Sequence, residues 1–290
     1  MKTQNTWEDN KMKKMIALLL TLTLLLAGIA AAENDTAWKM DKLSGTYEMA
    51  DLDGDGDSEP LSVSFDLNEY DDGSFILFVD DQSFTIDNCA SLIKEVYTMK
   101  VGSGDFYYGT LIFLSEYGMS DDLLTYCFFY TDNELYDVGR IPNAAANFNV
   151  SPDGVITVDE RAWHIGTWYY PSDYILARGF SCDDDFNCET SYAMCKVPRD
   201  VYPMGMIVET KVELPLLASK YDTVPSLYIP EGTKAVLVSS DDVAWLCVST
   251  LDGSTTGYLR MTYHDYGDYL TIGNKVMYAD DVFDGIFYAD

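Results

Sequence analysis

Between residues 51 and 60 the chain reads DLDGDGDSEP, and few backbones can carry such a stretch. Asp51, Asp53, Asp55 and Glu59 take loop positions 1, 3, 5 and 9, with Gly56 at position 6. Alternate residues of a tight loop point their oxygens at one centre, and a glycine at the sharp turn lets the backbone fold inward. Carboxylates held this close repel one another unless a cation or water separates them. A bound Ca²⁺ is the simplest neutraliser; a solvated acidic turn is the other reading. Position 12, where a helix-loop-helix site carries a bidentate Glu, is Ser62. Pro60 and the alternating run LSVSFDL send a strand, not a helix, out of the loop. The stretch therefore predicts a calcium loop in a β context.

The rest of the composition agrees with β structure. Aromatic residues make up 14% of the chain, with 22 Tyr and 13 Phe, and these types suit pleated, half-buried surfaces. The net charge is −30, which excludes nucleic acid as a partner because phosphates would be repelled. Acidity of this kind serves solubility, cation binding or attraction to a basic envelope component. From Met12 the chain reads MKKMIALLLTLTLLLAGIAAAEN, a basic start, an apolar run and small residues. This pattern predicts an export signal over residues 1–32, with Met12 as the true start and cleavage after Ala32. No later stretch is long and apolar enough to span a membrane. The expected location is outside the cell, released or held non-covalently at the cell wall. Export permits disulfides among Cys89, Cys127, Cys182, Cys188, Cys195 and Cys247. Two of the three in SCDDDFNCETSYAMC are expected to pair locally, whereas zinc is disfavoured because no CxxC or nearby His is present.

Short strands split by Asp/Gly turns are expected at 61–67, 74–79, 109–114 and 125–130. Leu92, Ile93 and Val96 share a helical face, so 89–97 is a candidate helix. An offset of 50 residues lays DLDGDGDSEPLSVSF on VGSGDFYYGTLIFLS, a weak internal repeat. Asp55 then falls on Asp105, but Asp51, Asp53 and Glu59 become Val101, Ser103 and Gly109, so only the first copy keeps its ligands. Trp163, Trp168, Tyr169, Tyr170 and Tyr174 suit either a carbohydrate platform or core packing, with core the expectation. Asp252-Gly253 between alternating runs marks a two-residue hairpin turn.

The motif DxDGDGxxE at Asp51–Glu59, followed by strands and repeated, resembles the VCBS and FG-GAP class of extracellular calcium-loop repeats over residues 45–142. The resemblance implies side-chain ligation by Asp51, Asp53, Asp55 and Glu59, with Asp57 supplying its carbonyl. That class builds β-propellers, and two copies cannot close one, so an incomplete propeller-like or sandwiched sheet is expected. Residues 211–261 resemble a bacterial SH3-like domain, on Ile229, Gly232, Thr233, Val236, Val238, Trp245, Val248, Asp252, Gly253, Gly257 and Tyr258. The resemblance implies a barrel packed around Val236, Val238, Trp245, Val248 and Tyr258, and often attachment to cell-wall peptides.

The expected protein is thus all-β, with a calcium-loop repeat domain over 33–204 and an SH3-like domain with its tail over 205–290. Its expected job is non-enzymatic binding at a bacterial envelope, to a cell-wall peptide or glycan. The alternatives are a purely structural module and a cysteine peptidase or amidase. DNCASLIKEVY and HIGTWYY are faintly similar to the nucleophile helix and histidine strand of NlpC-type cell-wall enzymes, with Cys89 as thiol and His164 as base. His264 is read as a surface loop residue. No GxSxG, HExxH or phosphate-loop motif is present.

Overall fold

The computed structural model describes residues 38–103, 106–118, 122–182, 188–264 and 267–288. The expected export signal, Met12 and Asp105 lie outside the described residues. Nearly all the regular structure of the described residues is antiparallel strand, as the composition predicts.

Three successive stretches form meanders. After the short β1 (Met40–Lys42) come β2 (Tyr47–Ala50), β3 (Glu59–Leu67), β4 (Gly73–Val79) and β5 (Gln82–Cys89), hydrogen-bonded in the order 2-3-4-5. Next are β6 (Leu92–Ser103), β7 (Phe106–Tyr117), β8 (Leu123–Thr131) and β9 (Glu134–Pro142), with β1 added at the β6 edge. The third sheet is β10 (Asn149–Val150), β11 (Ile156–Arg161), β12 (Tyr169–Cys182) and β13 (Cys188–Lys196), again in chain order. Strands β3 and β7, which lie in the two stretches that a 50-residue offset aligns, hold the same second place in successive meanders. The two stretches differ in what precedes the strand: an acidic loop before β3, a hairpin from β6 before β7.

The middle sheet is buried on both faces. Ile112, Leu114, Tyr126, Phe128 and Tyr130 share one core with Leu61, Val63, Phe75, Leu77 and Val79 of the first sheet. Their neighbours on the same strands, Leu111, Phe113, Cys127 and Phe129, face the other way and pack with Ile156, Val158 and Tyr174 of the third. A strand with water on neither face has no reason to alternate, so TLIFL and YCFFY read as unbroken apolar runs. The first sheet has one covered face, and LSVSF alternates accordingly.

The candidate helix at 89–97 is not formed. Cys89 ends β5, Ser91 turns the chain with φ +46°, and Leu92 begins a twelve-residue strand. Leu92 and Val96, four residues apart on an extended chain, share one face by simple alternation, which imitated a helical spacing, while Ile93 stays outside that core.

Beyond residue 200, β14 (Tyr202–Thr210), β15 (Leu214–Leu216), β16 (Leu227–Ile229), β17 (Lys234–Ser240), β18 (Trp245–Thr250), β19 (Thr256–His264), β20 (Gly267–Ile272), β21 (Lys275–Tyr278), a one-turn helix α1 (Ala279–Val282) and β22 (Phe283–Asp284) follow. Seven of these strands form one sheet, ordered 21-20-19-18-17-14-22, while β15 and β16 pair alone. The sheet curls around a single core to which β14, β15 and every strand from β17 to β20 contribute, joined by α1 and β22. The inward set is Ala235, Leu237, Leu246, Val248 and Leu259. Of the expected core, only Val248 belongs to it. Val236, Trp245 and Tyr258 are half-buried and Val238 is 38% exposed, on the opposite face. Side chains alternate with period two, so Val236 and Val238 face away from the side of Leu237, and Trp245 and Val248, three apart on β18, cannot both face inward. The DG turn is real but longer than two residues: Leu251–Thr255 separate β18 from β19, closed by Thr250 N–H donating to Thr255 O at 3.0 Å.

Candidate functional site

Loop 51–59 joins β2 to β3, and its backbone is shaped by its own carboxylates. Asp51 Oδ1 accepts Gly54 N–H at 2.8 Å, Asp53 Oδ1 accepts Asp55 N–H at 3.3 Å and Asp55 Oδ1 accepts Asp57 N–H at 2.8 Å. Gly54 and Gly56 have φ of +87° and +97°, a conformation that glycine adopts without the steric cost of a Cβ.

The loop is also tied to the stack. Leu52 inserts its side chain into the first core, its N–H donates to Glu59 Oε2 at 2.7 Å, and its carbonyl accepts Thr110 Oγ1 from β7 at 2.7 Å. The two-residue turn between β8 and β9, with Asp132 and Asn133 both at positive φ, aims Asn133 N–H at Asp53 Oδ2, 3.3 Å away. Gln82 bridges the same layers, donating to Asn133 O and accepting Leu135 N–H.

One carboxylate oxygen each from Asp51, Asp53 and Glu59 lies within 4.8 Å of the others. Oxygens bonded to one Ca²⁺ at 2.3–2.6 Å stand at most about 5 Å apart, so these three fit a single ion. Hard oxygen donors on a glycine-bent loop are the chemistry such an ion takes. Glu59 is 6% exposed, and burial pushes its carboxyl up, with the charges of Asp53 and Asp55 adding to the effect. A cation at this point would reverse that shift. Asp55 and Asp57 do not join the cluster; both are exposed, and one oxygen of Asp55 is engaged by the loop backbone. Sequence spacing therefore names five residues, of which the fold gathers three.

Cys89 and His164 have separate settings. Cys89 lies in the first core with its sulfur 3.8 Å from the Tyr126 hydroxyl, which donates to Glu116 at 2.9 Å, and burial pushes the thiol up. His164 sits on the turn between β11 and β12, where Nδ1 is 2.9 Å from Asp268 Oδ1 on β20. The side chain of His264 lies outside the described residues. Cys89, Cys127, Cys195 and Cys247 are free thiols, the first two and Cys247 buried. Register sets Cys182 opposite Cys188 on the β12–β13 hairpin, and their side chains lie outside the described residues.

The aromatic group divides. Trp168, Tyr170 and Tyr174 are buried, whereas Trp163 is 80% and Tyr169 59% exposed. Tyr170 stacks on Tyr202 of β14 at 3.9 Å between ring centres, joining the third sheet to the curled one. Burial pushes its phenol up to about 12. No signal in the sequence marked this junction, because its partners lie on different elements far apart in the chain.

Comparison with protein-family models, curated proteins and solved structures returns no match. Among the described residues no helix is long and apolar enough to cross a membrane.

Proposed function

We propose that this is an exported, non-enzymatic binding protein of a bacterial cell envelope, with a structural Ca²⁺ in its first sheet. The carrying observation is the convergence of Asp51, Asp53 and Glu59 on a loop pinned to the middle sheet through Thr110 and Asn133. Water completes the shell around these three carboxylates. The ion holds the loop that bridges two layers and supplies no chemistry of its own. A non-catalytic reading is supported by the buried thiol of Cys89 and its hydroxyl partner, since a nucleophilic cysteine needs an imidazole to hold it as thiolate. The basic-apolar-small N-terminus supports export. The strong acidity and the resemblance of residues 211–261 to a bacterial SH3-like domain support a cell-wall peptide or glycan as the ligand.

Calorimetry with Ca²⁺ and melting with and without chelator test the metal. The expected dissociation constant is on the order of 0.1–1 mM, as for extracellular modules. At ten times that constant the native state gains about 1.4 kcal/mol by linkage, and Asp53→Asn loses most of it. An unchanged melting temperature with chelator and no heat of binding would make the loop a solvated turn. Retention of the protein on purified cell walls, compared with walls stripped of peptide, tests the ligand.

A further inference from the structure

The segment joining β11 to β12, AWHIGTW at 162–168, does more than connect two strands of the third sheet. Ile165 is fully buried, and its side chain belongs to the core of the curled sheet, which is otherwise built by residues after 200. It holds this place with φ +59°, a left-handed conformation in which a β-branched residue is strained. Something must hold the backbone there.

Two aspartates of the curled sheet do so. Asp242, in the turn between β17 and β18, accepts Trp163 N–H at 3.0 Å and His164 N–H at 3.0 Å. Asp268 on β20 accepts Ile165 N–H at 2.5 Å through Oδ2 and faces His164 Nδ1 at 2.9 Å through Oδ1. Three consecutive amides are thus gripped by two carboxylates, and one of those carboxylates also grips the imidazole. The strap closes on itself through Trp168 Nε1–H donating to His164 O at 2.8 Å. Thr167 N–H takes Phe287 O at 2.7 Å from the C-terminal tail.

We propose that residues 163–165 form a pH-operated latch, in which the protonated imidazole of His164 held by Asp268 keeps Ile165 seated in the curled sheet's core and loss of that proton releases the strap.

The charges around the imidazole favour its cationic form from every side. Asp268 faces it from β20, and Asp242 and Asp241 from the β17–β18 turn. From the third sheet, Lys196 is spent on Glu160 at 2.8 Å and on the Tyr170 hydroxyl, which reaches Asp242 at 3.5 Å. Tyr288 and Asp280 complete the surroundings of Asp268 on the tail side. The His164 side chain keeps 16% of its exposure, so a proton can reach it. The hydrogen bond to Asp268 pulls the imidazole above its ordinary value, and burial opposes this more weakly. A group raised on folding stabilises fully below its unfolded value near 6.5, and the contribution is lost as pH rises through the folded value. The latch therefore holds in mildly acidic surroundings and loosens in alkaline ones. This reading is independent of calcium, whose loop belongs to the first sheet.

The test is amide hydrogen exchange on the full chain from pH 6 to 9, corrected for the intrinsic rate, with the His164 imidazole followed by NMR and assigned through His264→Gln. Protection of the 163–165 amides should fall by up to about ten-fold per pH unit, the one-proton limit, between 6.5 and the raised folded value, and level off above it. In His164→Gln, which keeps a donor for Asp268 but cannot titrate, it should stay flat. In Asp268→Asn the imidazole should return toward its ordinary value. Flat protection in the wild type, an equal fall in His164→Gln, or a wild-type imidazole titrating at or below 6.5 overturns the proposal. The last criterion needs no variant in the strap to fold.

Discussion

The middle sheet and the curled C-terminal sheet are both antiparallel and both apolar, yet they bury their residues differently. Strands β7 and β8 have protein on each side, so consecutive residues such as Phe128 and Phe129 both reach 0% exposure, in separate cores. Strands β17 to β19 have protein mainly on one side, and parity decides which residues are core. A continuous apolar run thus tells the reader that a strand is central without any choice of face. An alternating run names two candidate faces and leaves the choice to the fold.

This contrast can be broken most directly at Phe128, whose ring packs edge-on to Phe75 of the first sheet at 6.2 Å. Phe128→Ala should cost about 3–5 kcal/mol in chemical denaturation, since two closed layers leave little room to collapse into the cavity. A cost below about 1 kcal/mol would mean that the first sheet is not seated on the middle one. In the curled sheet the corresponding test is Ile165→Ala, expected to cost about 2–5 kcal/mol although residue 165 lies well before the sheet begins. A fragment starting at residue 205 should share that defect, melting well below the full chain because its core lacks the same side chain.

A smaller effect is expected at Thr110→Val. The substitution keeps the shape but leaves the Leu52 carbonyl without its donor, for about 1–3 kcal/mol. It should also weaken Ca²⁺ binding in calorimetry, because Leu52 sits between the two ligands Asp51 and Asp53. Unchanged calcium affinity would show that the loop does not need the middle sheet to hold its shape. The smallest effect belongs to Trp245→Ala. The indole is half-buried with the Arg260 guanidinium 5.0 Å over its ring, on the outer face, so the loss should stay within about 1 kcal/mol. A loss of about 3 kcal/mol or more would return Trp245 to the core and restore the parity expected from the motif.

The two acidic features differ in the same way. Asp51, Asp53, Asp55, Asp57 and Glu59 announce themselves by local spacing, because a loop that folds on itself writes its geometry into consecutive residues. Even there the fold narrows the set: Glu59 is drawn inward by the Leu52 amide, and Asp55 and Asp57 stay in water. Asp242 and Asp268 carry no local signature at all. Their role depends on amides about 80 and 100 residues earlier in the chain, brought to them only when the third sheet docks against the curled one.

Composition and periodicity by themselves determined that the described part of the chain belongs to the all-β class, that residues 109–114 and 125–130 are strands, and that Asp51–Glu59 is a tight acidic loop. Those properties rest on interactions within a few residues, or on apolar content that no other structure could bury. Which face of β17 and β18 turns inward, why 89–97 extends instead of coiling into a helix, and how Ile165 enters a core far along the chain were decided by tertiary structure alone. Each depends on register or on a docked layer, and hydrophobic attraction has no direction by which a sequence could specify them in advance.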